Sequence, residues 1–266
     1  MVLASIGAAI NNSQMHAHEI SVVLTVAGSD SGGEAGIQAD LNTFAALKVH
    51  GTCAITCVTA QNRKTVARLQ PCSPDMVRAQ MEAVAEGFPL SAAKTGMLYS
   101  AAIVREVSAF FQRRRSVPLV VDPVIFSTSG RRLLQPDGVA MLQRALLPLA
   151  TVVTPNVSEA EVLTGTKITT LEELRAAAKM IRRKFGCAAL VKGGHLSATN
   201  ESVDFLCTDK GEWMLSAPRV KTKGLHGTGC TYSAAIAAWL ARGRSLEQSV
   251  RLAKDYITQR ILASQQ

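Results

Sequence analysis

The chain has 266 residues, is 47% hydrophobic and 18% charged, and carries a formal net charge of +9, so it can bury the core of one large α/β domain or two small ones. Its basic residues fall in short scattered runs (Arg113-Arg114-Arg115, Arg131-Arg132, Arg182-Arg183-Lys184), and only 5% of residues are aromatic, which argues against nucleic-acid binding. No stretch approaches the ~18 continuous apolar residues of a membrane span.

Residues 1–20 lack a basic n-region, and their apolar run breaks at Asn11-Asn12. They read as a poorly ordered N-terminal extension rather than a signal peptide, ahead of one domain over residues 21–266. Residues 21–27 then read as a buried strand and 36–48 as a helix with Ile37, Leu41 and Phe44 on one face. Residues 53–60 make a second, β-branched strand, and 73–86 a helix with Pro74 at its tolerated first position. A helix (101–114), strand (119–122), helix (136–147), strand (151–154), helix (171–185) and strand (188–192) follow. A hairpin over 203–207 and 212–215 turns at Asp209-Lys210-Gly211. Helices 228–242 and 245–263 close the chain. This alternation predicts a mainly parallel sheet with helices on both faces. In such sheets ligands bind beyond the carboxyl ends of strands, where the polar, Gly-rich segments of this chain collect. The six cysteines show no metal-ligand spacing and lie mostly in apolar stretches, which suggests a reducing, cytoplasmic location.

The most informative segment is His226-Gly227-Thr228-Gly229-Cys230, opening an apolar helix. Gly227 and Gly229 let successive N–H groups approach a ligand, and the helix start adds unpaired N–H groups and positive dipole. This is an anion site or a Gly-rich turn capping a buried helix. Cys230 sits where dipole and N–H groups lower a thiol's pKa. The loop at 28–36 follows the first strand but fits neither G-x-G-x-x-G nor a P-loop. Asp40, one turn into the next helix, is a dipole-favoured carboxylate or a ligand-facing acceptor. Gln61-Asn62 offers amides to a heterocycle or simply turn chemistry. Asn156-x-x-Glu159 is a helix cap with its acid, or an acid ordering Mg²⁺ waters. Lys192-Gly193-Gly194 places at a strand end a lysine that calls for a partner such as phosphate. His195 and His226 are acid–base candidates or structural histidines.

Ala35-Gly36-Ile37-Gln38-Ala39-Asp40-Leu41, Thr95-Gly96-Met97-Leu98 and Lys192-Gly193-Gly194-His195, followed by residues 226–230, resemble the motifs of the hydroxymethylpyrimidine/phosphomethylpyrimidine kinases of thiamine biosynthesis, in the ribokinase-like superfamily. The resemblance runs in order from about Ser21 to the final helix. It implies a single three-layer α/β/α domain that uses ATP and Mg²⁺ to phosphorylate hydroxymethylpyrimidine, and then its monophosphate. It further implies that Asp40 and Gln61 bond the aminopyrimidine, with Met97 packed against it and Gly28 beside it. Gly227, Thr228, Gly229 and Cys230 would form the anion hole, with Cys230 as base. Asn156, Lys192 and Gly193 would serve the nucleotide, and Glu159 the metal. A homodimer is the expected assembly. Glu34 departs from the family's usual small residue, Thr65 from its glycine and Leu225 from its polar residue. The segment Ser127-Thr128-Ser129-Gly130 lacks the lysine often found there, and the usual glycine-containing tail is missing. Two other readings compete: a pyridoxal kinase of the same clade, and a non-catalytic ligand-binding protein on the same scaffold.

Overall fold

The computed structural model describes residues 20–194, 196, 201–219 and 227–264. Strands β1 (Val22–Asp30), β2 (His50–Gln61), β3 (Val66–Pro71), β4 (Leu90–Thr95), β5 (Leu119–Val121), β6 (Val152–Val153), β7 (Ala188–Lys192), β8 (Glu201–Cys207) and β9 (Glu212–Pro218) form one sheet. Its order is β3-β2-β1-β4-β5-β6-β7-β8-β9. The strands from β2 to β7 run parallel, and β3, β8 and β9 pair antiparallel at the two edges. The helices are α1 (Gly36–Ala46), α2 (Pro74–Gly87), α3 (Ala101–Gln112), α4 (Pro136–Met141), α5 (Val157–Thr164), α6 (Leu171–Phe185), α7 (Thr228–Ala241) and α8 (Leu246–Ala263).

Side chains alternate across a strand, and here that alternation sorts the core into two layers. Leu24, Val121, Val153 and Val191 pack with Met81, Phe110, Leu163 and Ile181, which belong to α2, α3, α5 and α6. Their neighbours Val23, Val120, Val152 and Leu190 pack instead with Phe44, Ile236 and Val250, which places α1, α7 and α8 on the opposite face. The three-layer α/β/α architecture expected from the sequence is therefore present. The same alternation puts Thr25, Lys94, Asp122, Thr154 and Lys192 on the face that α7 covers, because each follows a residue of the other layer.

Some boundaries differ for physical reasons. The helix expected over 136–147 stops at Met141 and continues as a π turn, Leu142–Leu146, and a 3₁₀ turn, Leu147–Leu149. Pro148 lacks an N–H, and its ring clashes with a regular carbonyl four residues back, so the last turns must change pitch. Strands β3 and β4 and helix α5 were not predicted as elements. β3 is a mostly exposed edge strand without clean alternation, β4 carries small residues and a lysine, and α5 showed only its start signal. Capping boxes open α5 (Asn156/Glu159), α6 (Thr170/Glu173) and α8 (Ser245/Gln248).

Candidate active site

The chain reverses its direction of travel across the sheet at β1, so the loops after β1 and β4 diverge around a crevice at the carboxyl edge. Asp30 shapes the first of these loops. Its Oδ1 accepts the Gly32 N–H at 2.8 Å, and its Oδ2 accepts those of Glu34 and Ala35 at 3.1 and 2.8 Å. Gly36 (φ 58°) then starts α1 so close to β1 that a Cβ would overlap the Gly28 carbonyl. The loop is pinned to the end of β2, where Ser31 Oγ donates to the Gln61 carbonyl and accepts its N–H, both at 2.9 Å. Glu34 pairs with Arg63 Nε at 2.8 Å, linking this loop to the β2–β3 turn. Asp30, Gly32, Glu34, Gln61, Asn62 and Arg63 line a cavity of about 250 Å³ at this lip. Deeper in, a Cβ on Gly28 would lie 3.1 Å from Met97 Sδ, and Met97 is buried with Cys57 and Leu133. Thr56 fixes that turn by donating to the Met97 carbonyl at 2.6 Å.

The anion loop packs directly against this first loop. Gly227 caps α7 in the left-handed region (φ 77°), where a Cβ would overlap the Glu34 carbonyl oxygen, so only glycine fits. Ser233 Oγ donates to the Gly229 carbonyl at 3.0 Å and shares a hydrogen bond of 2.8 Å with Thr154 Oγ1, which also reaches Asp122 Oδ1 at 3.4 Å. This relay ties the first turn of α7 to the end of β6. A Cβ on Gly229 would sit 3.3 Å from Lys192 Nζ, which puts a cation beside the loop. Lys192 also donates to Asp122 Oδ1 at 3.1 Å. Burial pulls the Lys192 ammonium down, but the Asp122 and Glu159 carboxylates outweigh it and hold its pKa above the ordinary lysine value.

Asn156 and Glu159 form the capping box that the sequence offered as their structural reading. Asn156 N–H donates to Glu159 Oε2, and Glu159 N–H to Asn156 Oδ1, both at 2.9 Å. Glu159 is 3% exposed, and burial together with the Asp122 charge pushes its carboxyl up to about 7. Asp122 and Glu159 thus present hard oxygen ligands close together, and a divalent cation would relieve the crowding of charge that raises Glu159.

Two expectations need correction. Asp40 does not line the crevice: it is fully buried, with Lys94 Nζ donating to its two oxygens at 3.0 and 2.8 Å and Thr25 Oγ1 donating to Oδ2 at 2.6 Å. Burial pulls the Lys94 ammonium toward neutrality, but the Asp40 charge outweighs it and keeps Lys94 above its ordinary value. The Cys230 thiol is not lowered by the helix start. Burial pushes it up to about 11, against the opposing pull of Lys94 and the Gly36 N–H and with reinforcement from Asp122 and Asp40. The Gly193 N–H donates to Asp204 Oδ1 at 3.1 Å. His195 and His226, like Leu225, lie outside the described residues. The structure thus gathers Gly28 with Met97, Gln61 with the lip, and Lys192 with the anion loop. It adds Asp122, Lys94, Thr154 and Ser233, to which the sequence reading gave no role. A lysine within the apolar run of residues 92–98 was the available signal for Lys94, since a buried ammonium must find a carboxylate.

Residues 30–266 match the phosphomethylpyrimidine kinase family. A hydroxymethylpyrimidine/phosphomethylpyrimidine kinase of Haemophilus influenzae is 44% identical over 242 residues, spanning 90% of each chain. The crystal structure of a phosphomethylpyrimidine kinase from Clostridium difficile superposes with a TM-score of 0.79 at 39% identity, covering 90% of this chain and 99% of that one. A Bacillus subtilis pyridoxal kinase in complex with ADP gives 0.82 at 34% identity, over 90% of each chain. On this family match and these relatives, and with its ribokinase-like sheet, the chain belongs to the phosphomethylpyrimidine kinase family.

Proposed function

We propose that this protein transfers the γ-phosphoryl group of ATP to hydroxymethylpyrimidine, and then to the resulting monophosphate, for thiamine biosynthesis. The observation that carries the reading is Lys192 Nζ set beside Gly229 at the start of α7. Phosphoryl transfer needs positioning and charge neutralisation more than covalent chemistry. Gly28 and Met97 give the heterocycle a flat apolar seat, and the Gln61 amide at the lip supplies a hydrogen bond. Its hydroxymethyl oxygen then forms the new O–P bond as the bridging O–P bond to ADP breaks. Lys192 and the N–H groups of Gly227, Thr228, Gly229 and Cys230 hold the charge that spreads over the transferring group. The proton of the acceptor hydroxyl passes to Cys230 in its thiolate form. Asp122 and Glu159 would hold Mg²⁺, with Asn156 beside the nucleotide. When bound, Mg²⁺ would supply neutralisation of phosphate charge.

Pyridoxal kinase is the second reading, favoured by the structural likeness to the Bacillus subtilis enzyme. An ATP-consumption assay with hydroxymethylpyrimidine, its monophosphate and pyridoxal decides. Turnover of the first two supports the proposal, and turnover of pyridoxal alone overturns it. All six cysteines are unpaired thiols, which supports a reducing cytoplasm, and among the described residues no helix is long and apolar enough to cross a membrane. Sedimentation velocity checks the proposed homodimer.

A further inference from the structure

Asp204 and Lys254 form a second buried ion pair that the phosphoryl-transfer chemistry does not use. Asp204 is 3% exposed and Lys254, on α8, 6%. Asp204 Oδ2 accepts from Lys254 Nζ at 2.7 Å, while Lys254 also donates to the Ser202 carbonyl at 3.1 Å and to Ser202 Oγ at 3.3 Å. The other carboxylate oxygen takes the Gly193 N–H, and a Cβ on Gly193 would come within 2.5 Å of the Val203 carbonyl oxygen. In the β7–β8 ladder Asp204 stands directly opposite Lys192, so the two side chains leave the same face of the sheet. Tyr232, on α7, is the other titratable group facing Asp204. Burial and the Asp204 charge hold its hydroxyl well above the usual tyrosine value.

Lys192 therefore has three buried carboxylates around it: Asp122, which it contacts, Glu159, whose charge it also feels, and its ladder neighbour Asp204, which Lys254 already neutralises. We propose that Lys254 is a positioning residue: by satisfying Asp204 it leaves Lys192 directed at Asp122 and the Gly229 loop, where nucleotide phosphates bind. The proposal rests on reading Lys192 as the phosphate-binding cation. Without Lys254 the stranded Asp204 charge draws the nearest cation, because an unpaired buried carboxylate is costly.

Calorimetric titration of the full-length protein with a Mg²⁺-loaded non-hydrolysable ATP analogue, and separately with hydroxymethylpyrimidine, tests this. Lys254→Met should weaken nucleotide binding roughly tenfold or more while leaving pyrimidine affinity unchanged. Lys254→Gln, which keeps a hydrogen-bonding group at Ser202 and Asp204, should do the same and covers the case in which the Met variant does not fold. The double variant Asp204→Asn/Lys254→Met removes the competing charge and should return nucleotide affinity to within about twofold of wild type. A merely structural pair predicts the reverse, with the double variant no tighter than the single. Wild-type nucleotide affinity in Lys254→Gln, or no rescue in the double variant, would overturn the proposal. A wild-type protein that bound no nucleotide would sink the assignment of Lys192 itself, and this pair with it, which keeps the two failures distinct.

Discussion

Lys94 and Asp40 face each other between β4 and α1 with no solvent exposure on either side chain, joined by bonds of 2.8 and 3.0 Å. Removing one partner of such a pair strands a buried charge, which costs ~3–5 kcal/mol. Asp40→Ala and Lys94→Met should each lose about that much in urea unfolding, and Asp40→Leu/Lys94→Met should recover much of it. Unchanged stability with weakened pyrimidine binding in Asp40→Ala would restore Asp40 to direct contact with substrate.

A thiol raised to about 11 is almost wholly protonated at neutral pH, so the thiolate fraction climbs about tenfold per pH unit up to that value. The first phosphorylation should therefore accelerate from pH 7 to 9, and Cys230→Ala should lower its kcat by about 10²–10⁴ and flatten the profile. The second phosphorylation should be much less affected. A phosphate monoester, with a second pKa near 6, already offers a deprotonated oxygen at roughly neutral pH. Equal losses on both steps would remove proton transfer from the role of Cys230.

Glu159 is raised to about 7 in the folded chain against an ordinary 4.5, so the folded state holds a proton that the unfolded chain has released. Its contribution to stability is full below about 4.5 and is lost as pH rises through 7. A cation bound there displaces that proton. The Mg²⁺ concentration for half-maximal activity should fall between pH 6 and 8, while Glu159→Gln should need more Mg²⁺ with little pH dependence. Parallel Mg²⁺ titrations at four pH values would show this, and a Glu159→Gln curve that tracked wild type would assign the acid to the capping box alone.

Lys192→Met should raise the KM for ATP and lower kcat together, since the charge it neutralises grows in transit. If the lysine only props up the end of β7, thermal stability falls while kinetics per folded molecule stay normal. Steady-state rates measured beside the Tm separate these outcomes.

Gln61→Ala should weaken hydroxymethylpyrimidine binding about 10–100-fold, the worth of one buried hydrogen bond at roughly 1–3 kcal/mol. Calorimetry gives the answer directly, and unchanged affinity would move the heterocycle away from the end of β2.

The fold was legible because its long elements are strongly periodic. Helix α6 carries a capping box at Thr170/Glu173 and a stop at Gly186, and β7 is a pure apolar run ending in lysine. The anion loop could also be read, since Gly227 and Gly229 announce a close backbone approach. The roles of Asp40 and Cys230 were not legible in the same way. A helix start predicts an accessible acceptor and a lowered thiol, and both forecasts depend on how much protein lies above the group. That depends on β4, whose lysine and small residues hid it from any periodicity argument.

Helix α7 is buried at every position from Thr231 to Ala238, covers the middle of the sheet, and begins with the anion loop. Because it lies so late in the chain, a ribosome must make more than 230 residues before Val120 and Val152 gain their cover. Until then the growing polypeptide holds an uncovered apolar sheet centre and the pyrimidine half of the crevice, but no loop able to receive a phosphoryl group. Synthesis that stops short therefore yields a sticky, inert fragment rather than a leaky ATPase. Catalytic competence and escape from aggregation arrive together, with the same fourteen residues.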